Sequence, residues 1–135
     1  MFVYLDTSAA IKLLKDEVES QALVDWLDEH GTDRQITSHL TRTELPRALH
    51  AAGVDPGTMD HAQEWLGRAA HVRMPAETFD AAGALAPGAR LRSLDALHVA
   101  AASGLGSLVS AFVAYDKRLV EAAEAAGLTA VSPSP

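Results

Sequence analysis

Two apolar runs at opposite ends of the chain constrain its fold most. Phe2-Val3-Tyr4-Leu5 stops at Asp6, and Ala111-Phe112-Val113-Ala114-Tyr115 stops at Asp116. A strand that is apolar at every position needs cover on both faces, the condition of a strand inside a parallel sheet. Parallel neighbours require long crossovers, and the stretches between these runs carry helical patterns. The sequence therefore predicts an α/β fold, a central parallel sheet of about five strands flanked by helices. In open sheets of this kind ligands bind beyond the carboxyl ends of the strands, where the strand order reverses. Asp6 and Asp116 both stand at such ends, and adjacency of their strands would bring them together.

The intervening chain reads as alternating elements. Thr7 or Ser8 caps a helix that runs to about Leu14. A second helix is predicted over residues 17–29, with Val18, Ala22 and Trp26 on one row. Residues 34–37 read as a strand, and Ser38 as the cap of a helix over 39–52. Pro46 falls inside that helix, where proline costs roughly 3 kcal/mol. It predicts a kink or restart near Thr43 and a Glu44 displaced from the regular helical surface. Asp55-Pro56 opens a further helix, cap then proline, with Met59, Ala62, Trp65, Leu66 and Ala69 on its apolar face. A strand over 70–74, a helix over 75–85 closed by Pro87-Gly88, a helix from a Ser93 cap to Ser103, a helix over 117–126 and a strand over 129–131 complete the pattern. One domain is expected over 1–132, followed by a short polar tail, 133–135.

At 135 residues, 48% of them hydrophobic, the chain can build a core without staples. It has no cysteine, which excludes a disulfide framework and thiolate zinc sites and fits a reducing, cytoplasmic setting. The first residues already read as a strand, so no leader is expected. No run approaches the roughly 18 apolar residues of a membrane span, so no membrane association is expected. A net charge of -7 argues against holding nucleic acid by a basic surface alone. Acids that gather divalent cations would themselves bring positive charge to a phosphate, so nucleic-acid chemistry stays open.

Two further acids accompany Asp6 and Asp116. Asp95 lies in Leu94-Asp95-Ala96-Leu97-His98, and Glu44 in Thr41-Arg42-Thr43-Glu44. Each of the four has an ordinary reading, as a helix cap, a first-turn acid or a solvated residue. Gathered at one sheet edge they repel, and a hard divalent cation such as Mg²⁺ or Mn²⁺ removes that conflict. The chemistry this points to is metal-assisted phosphodiester hydrolysis. Arg42, Arg92, Lys117 and Arg118 lie within three residues of an acid; they are either phosphate contacts or solvated surface. His98, three positions after Asp95, is either a proton shuttle or a packed core histidine. Trp26 and Trp65 are core residues or the lining of a partner groove. Nothing is placed to activate Ser8 as a nucleophile.

The order strand-Asp6-Thr7-Ser8, Thr41-Arg42-Thr43-Glu44, Leu94-Asp95-Ala96-Leu97-His98-Val99-Ala100 and Tyr115-Asp116-Lys117-Arg118-Leu119 resembles the PIN-domain ribonucleases. More narrowly, it resembles the VapC-type toxins of bacterial toxin-antitoxin pairs, from Phe2 to about Leu128. The resemblance implies a metal-dependent endoribonuclease that acts as the toxin of a type II pair. It implies that Asp6, Glu44, Asp95 and Asp116 form an acidic pocket. There Asp6, Asp95 and Asp116 hold Mg²⁺ or Mn²⁺, and Glu44 orders water or binds a second metal. It also implies an RNA substrate, a cognate antitoxin covering the pocket, and a homodimer. The chain departs from the pattern at Ala114, where members often carry a hydroxyl residue; Ser8 is the nearby hydroxyl that remains. Three alternatives stay open: a free-standing PIN nuclease in RNA processing, a catalytically weak PIN-fold binding module, and a phosphatase using Asp6 as phosphoryl acceptor. Against the last, position 8 holds no second acid. No G-x-G-x-x-G or P-loop pattern supports a nucleotide fold.

Overall fold

The computed structural model describes residues 1–87 and 90–135. Its five strands, β1 (Phe2–Leu5), β2 (Arg34–Ser38), β3 (Ala70–Val72), β4 (Val109–Val113) and β5 (Ala130–Val131), form one parallel sheet in the order β3-β2-β1-β4-β5. Among the described residues seven α-helices surround it: α1 (Thr7–Leu14), α2 (Ser20–Glu29), α3 (His39–Ala51), α4 (Pro56–Arg68), α5 (Ala76–Ala84), α6 (Ser93–Ser103) and α7 (Lys117–Ala125). The chain steps outward from β1 to β3, then returns past β1 to lay down β4 and β5. The order therefore reverses between β1 and β4, the two strands followed by Asp6 and Asp116.

The apolar character of β1 is explained by cover on both faces. Val3 and Leu5 pack on one side with Leu23, Leu45, Leu49 and Trp65. Tyr4 packs on the other with Ile36, Val99, Phe112 and Leu119. Tyr4 and Phe112, partners in the β1–β4 register, stack with ring centroids 5.1 Å apart and planes 4° from parallel. Both tryptophans pack within the molecule. Trp65 is buried and its indole N–H donates to Gln35 over 2.8 Å, while Trp26 stacks on His30 at 3.9 Å between centroids. Among the described residues no helix is long and apolar enough to cross a membrane.

Several element boundaries differ from the sequence reading, each for a local reason. Helix α2 starts at Ser20, not at 17, because Lys12 pairs with Glu17 and Glu19 at 3.3 and 3.1 Å and holds them in the preceding loop. Strand β4 ends at Val113, since the Tyr115 amide leaves the ladder to donate to the Ser8 hydroxyl. The cap position of α6 is Arg92, with no side-chain bond, and Ser93 is its first helical residue. Of the expected Pro87-Gly88 turn, Gly88 lies outside the described residues.

The largest difference concerns Pro46. Helix α3 runs as one helix from His39 to Ala51 with Pro46 inside it, so there is no restart and Glu44 keeps a regular helical position. The proline leaves the carbonyl of exposed Arg42 without its helical partner. Leu45 and Leu49, both fully buried, anchor the helix on either side. Their burial, about 1.5 to 3 kcal/mol each, offsets the roughly 3 kcal/mol that proline costs. Pro46→Ala is therefore expected to stabilise the protein by about 1 to 3 kcal/mol, the lower end reflecting the unfolded-state rigidity that proline contributes. The measurement is the denaturant midpoint; a lower midpoint for the alanine variant would contradict this account.

Candidate active site

Four acids from four separate elements line one cavity of about 530 Å³ at the carboxyl end of β1: Asp6, Glu44, Asp95 and Asp116. Asp6 directly follows β1 and caps α1, its Oδ1 accepting from the Ala9 amide at 2.9 Å and the Ser8 hydroxyl at 2.7 Å. Asp116 caps α7, its Oδ1 accepting from the Leu119 amide at 3.1 Å. Asp95 sits in the first turn of α6 and its Oδ2 accepts from Arg92 Nε at 3.2 Å. The cap readings and the site reading therefore hold together. Three helix N-termini, each carrying a partial positive charge, face the acids and offset part of their repulsion.

Glu44 lies in the body of α3 and is held differently. Its Oε1 accepts from the Thr7 hydroxyl and from His98 Nε2, both at 2.7 Å. His98 is buried, and its Nδ1 meets the Tyr4 hydroxyl at 2.7 Å. Because a carboxylate only accepts, Nε2 carries the hydrogen. His98 is thus the packed histidine, joined to the site through Glu44. Thr7 also contacts Thr41, which contacts Thr37 at 2.8 Å, so a buried hydroxyl chain fixes α1 against β2 and α3.

Each acid has one oxygen engaged in these bonds. Among the described residues the other oxygen, Oδ2 of Asp6, Oε2 of Glu44, Oδ1 of Asp95 and Oδ2 of Asp116, accepts no hydrogen bond. These hard oxygen donors, drawn from acids lining one cavity, suit a divalent cation. No three His, Asp or Glu side chains among the described residues are already drawn into a ligating group. Burial pushes Asp6 up to about 6, with the neighbouring Asp95 charge adding to it, and His98, the Ser8 hydroxyl and the Ala9 amide restrain it only in part. Burial also opposes ionised Glu44, but the His98 hydrogen bond and charge, the Thr7 hydroxyl and Arg92 outweigh it and hold that carboxyl below its ordinary value. The two acids are thereby driven in opposite directions.

Of the basic residues singled out in the sequence, Arg92 lines the acid cavity and Arg118 lines a smaller hollow beside it. Arg42 and Lys117 line neither. Ser8 lines the cavity and joins the ends of β1 and β4, donating to Asp6 and accepting from the Tyr115 amide at 3.3 Å. Ala114 is fully buried beneath it. The sequence reading gave Thr7 or Ser8 as the cap of α1, where Asp6 stands instead and Thr7 holds Glu44, and it gave no site role to Thr41 or Arg47. Their signal was helical spacing, since Thr41 and Arg47 lie three residues either side of Glu44 and share its face. A hollow of about 540 Å³ between α2 and α4, bordered by Trp65, is as large, but the four convergent acids are in the other.

Residues 3–125 match the family model of the PIN domain. The chain belongs to the PIN domain family and, within it, is of VapC type. It is 46% identical over 133 residues to Ribonuclease VapC35 of Mycobacterium tuberculosis, covering 97% of this chain and 96% of that relative. It is 36% identical to Ribonuclease VapC47 of the same organism, again over 97% and 96%. The fold is also that of the crystal structure of FitAcB from Neisseria gonorrhoeae, with a TM-score of 0.69 at 20% identity and 98% coverage of both chains.

A raised Asp6 makes a stability prediction. Its folded value of about 6 stands above the ordinary 3.8, so between those values the folded state holds a proton that the unfolded state has lost. Stability contributed by Asp6 falls as pH rises through that window and the full penalty, on the order of 2 to 3 kcal/mol, remains above it. Asn keeps the cap and removes the charge. Asp6→Asn in metal-free solution is expected to be more stable than the wild type at pH 8, with the gain shrinking by pH 5. Equal unfolding free energies at pH 8 would refute the buried-charge assignment.

Proposed function

We propose that the protein is a metal-dependent endoribonuclease that hydrolyses RNA phosphodiester bonds and serves as the toxin of a type II toxin-antitoxin pair. The observation that carries this reading is the convergence of Asp6, Glu44, Asp95 and Asp116 on one cavity at the strand-order reversal. Membership of the PIN domain family and the ribonuclease names of its relatives support it.

In this reading Asp6, Asp95 and Asp116 would hold Mg²⁺ or Mn²⁺ through the oxygens that the caps of Asp6 and Asp116 and the Arg92 bond of Asp95 leave free. When bound, such a cation lowers the pKa of a coordinated water and stabilises charge on the phosphate. Glu44, kept ionised and fixed by His98 and Thr7, orients the attacking water by accepting its hydrogen. Arg92, beside Asp95, faces the phosphate charge. Thr7, Ser8 and His98 act by holding the carboxylates in place, as outer partners of metal-binding acids commonly do. A cognate antitoxin covers the cavity, the toxin pairs as a homodimer, and both act in the cytoplasm.

Asp95→Asn and Asp116→Asn are each expected to lose RNA cleavage by at least about 100-fold while melting cooperatively; cleavage near the wild-type rate by either would overturn the mechanism. Millimolar Mg²⁺ or Mn²⁺ is expected to raise the wild-type Tm by several degrees, as binding at ten to a hundred times Kd stabilises by about 1.4 to 2.7 kcal/mol. The same ions should shift Asp6→Asn much less, and a chelator should abolish cleavage. A wild-type Tm indifferent to both ions would argue against a formed site.

A further inference from the structure

We propose that the hollow framed by Arg90, Arg92 and Arg118 is a subsite for the RNA phosphate next to the one that is cleaved. The inference rests on the ribonuclease reading above and adds to it a second point of grip on the substrate. The hollow, about 240 Å³, is bordered by Asp95 and Asp116 on one side and by the three guanidinium groups. Arg92 and both acids also line the main cavity, so the two spaces share a wall. A phosphate in the hollow would therefore neighbour one held at the acids, as successive phosphates of a single strand do.

Three of the chain's eleven lysines and arginines meet here, although the whole protein carries -7. Neutralising the acids accounts for Arg92 alone. Arg92 pairs with Asp95, but among the described residues neither Arg90 nor Arg118 lies within 4.0 Å of a carboxylate oxygen. Local helix energetics do not account for them either. Arg92 stands at the cap position of α6 and Arg118 in the first turn of α7, the ends where the macrodipole disfavours a cation. All three side chains are exposed, so core packing places no demand on them. What suits this arrangement is an external anion, to which guanidinium groups bind by paired N–H donors and which the same two helix starts favour. Single-stranded RNA supplies that anion at a fixed distance from the cleaved bond.

The test compares Arg90→Ala/Arg118→Ala with the intact protein, both carrying Asp6→Asn so that RNA binds without being cut. The probe is a short, fluorescently labelled single-stranded RNA, and Kd is read across a salt series. Loss of two phosphate contacts is expected to weaken binding about tenfold or more at low salt and to flatten the log–log salt slope by about 1.4, at roughly 0.7 per single-strand phosphate. Arg68→Ala, in the separate hollow between α2 and α4, serves as the control and should leave both unchanged. In the cleaving protein the double variant should raise KM more than it lowers kcat, the signature of lost binding and not of lost chemistry. An unchanged Kd, slope and KM in a double variant that melts like its parent would overturn the subsite. So would weakened capture of an acidic peptide with RNA binding intact. Failure of the wild type to cut any RNA with Mg²⁺ or Mn²⁺ would instead strike the ribonuclease reading, whatever the arginine variants do.

Discussion

Four carboxylates brought to one edge of a sheet repel one another, and the rest of this structure answers that constraint. In water the repulsion would be slight, but Asp6 is almost wholly buried and the interaction strengthens as solvent is excluded. The fold responds with partial charges more than with ion pairs. Asp6, Asp95 and Asp116 are each delivered to the positive end of a helix, α1, α6 and α7, an effect of about 0.3 to 1 kcal/mol apiece. Glu44, which has no helix end available, is given His98 and Thr7 instead. Burial holds the Tyr4 hydroxyl well above its ordinary value, so it stays protonated as the outer member of that chain.

Anchoring by one oxygen leaves each acid a second oxygen without a hydrogen bond among the described residues. A helix cap needs a single acceptor, which leaves the second oxygen of the same carboxylate for the cavity. The fold therefore does not choose between stability and site at these positions, except at Asp6. There burial exceeds what the cap, Ser8 and His98 return, and the residue is held well above its ordinary value. Strain of this kind, confined to one residue at the centre of a site, is the usual form of conflict between activity and stability.

How much of this was legible in the sequence depends on the range of the interaction. The sheet was legible, because an apolar run such as Phe2-Val3-Tyr4-Leu5 admits few environments, and so was the order of acids after strands. The behaviour of Pro46 was not, because the penalty of proline is local while the burial of Leu45 and Leu49 that offsets it is tertiary. The start of α2 was misplaced for the same reason, since Lys12, several residues away, decides it. His98 was open between two readings that differ only in its partners, Tyr4 and Glu44, distant in sequence by 94 and 54 positions. The missed Thr41 and Arg47 were visible as neighbours of Glu44 on a helix, but only once α3 was known to continue through its proline.

Position 114 shows how a missing hydroxyl can be compensated from the start of a neighbouring helix, α1. Ala114 offers no hydroxyl between the end of β4 and Asp116, and it is sealed in the core. Beyond it the chain must turn from the sheet toward α7 with its amides satisfied. The Ala114 amide donates to the Val131 carbonyl on β5, and the Ser132 hydroxyl donates to the Ala114 carbonyl. The next amide, that of Tyr115, is taken by Ser8, whose own hydrogen goes to Asp6. One hydroxyl thus fixes the backbone leading to Asp116 and the carboxylate of Asp6 together, so the two acids that flank the strand reversal are positioned by the same atom. A hydroxyl at 114 would orient Asp116 from its own strand; Ser8 couples its approach to Asp6 across the sheet, and the spacing of the two then depends on the β1–β4 register and not on either loop alone.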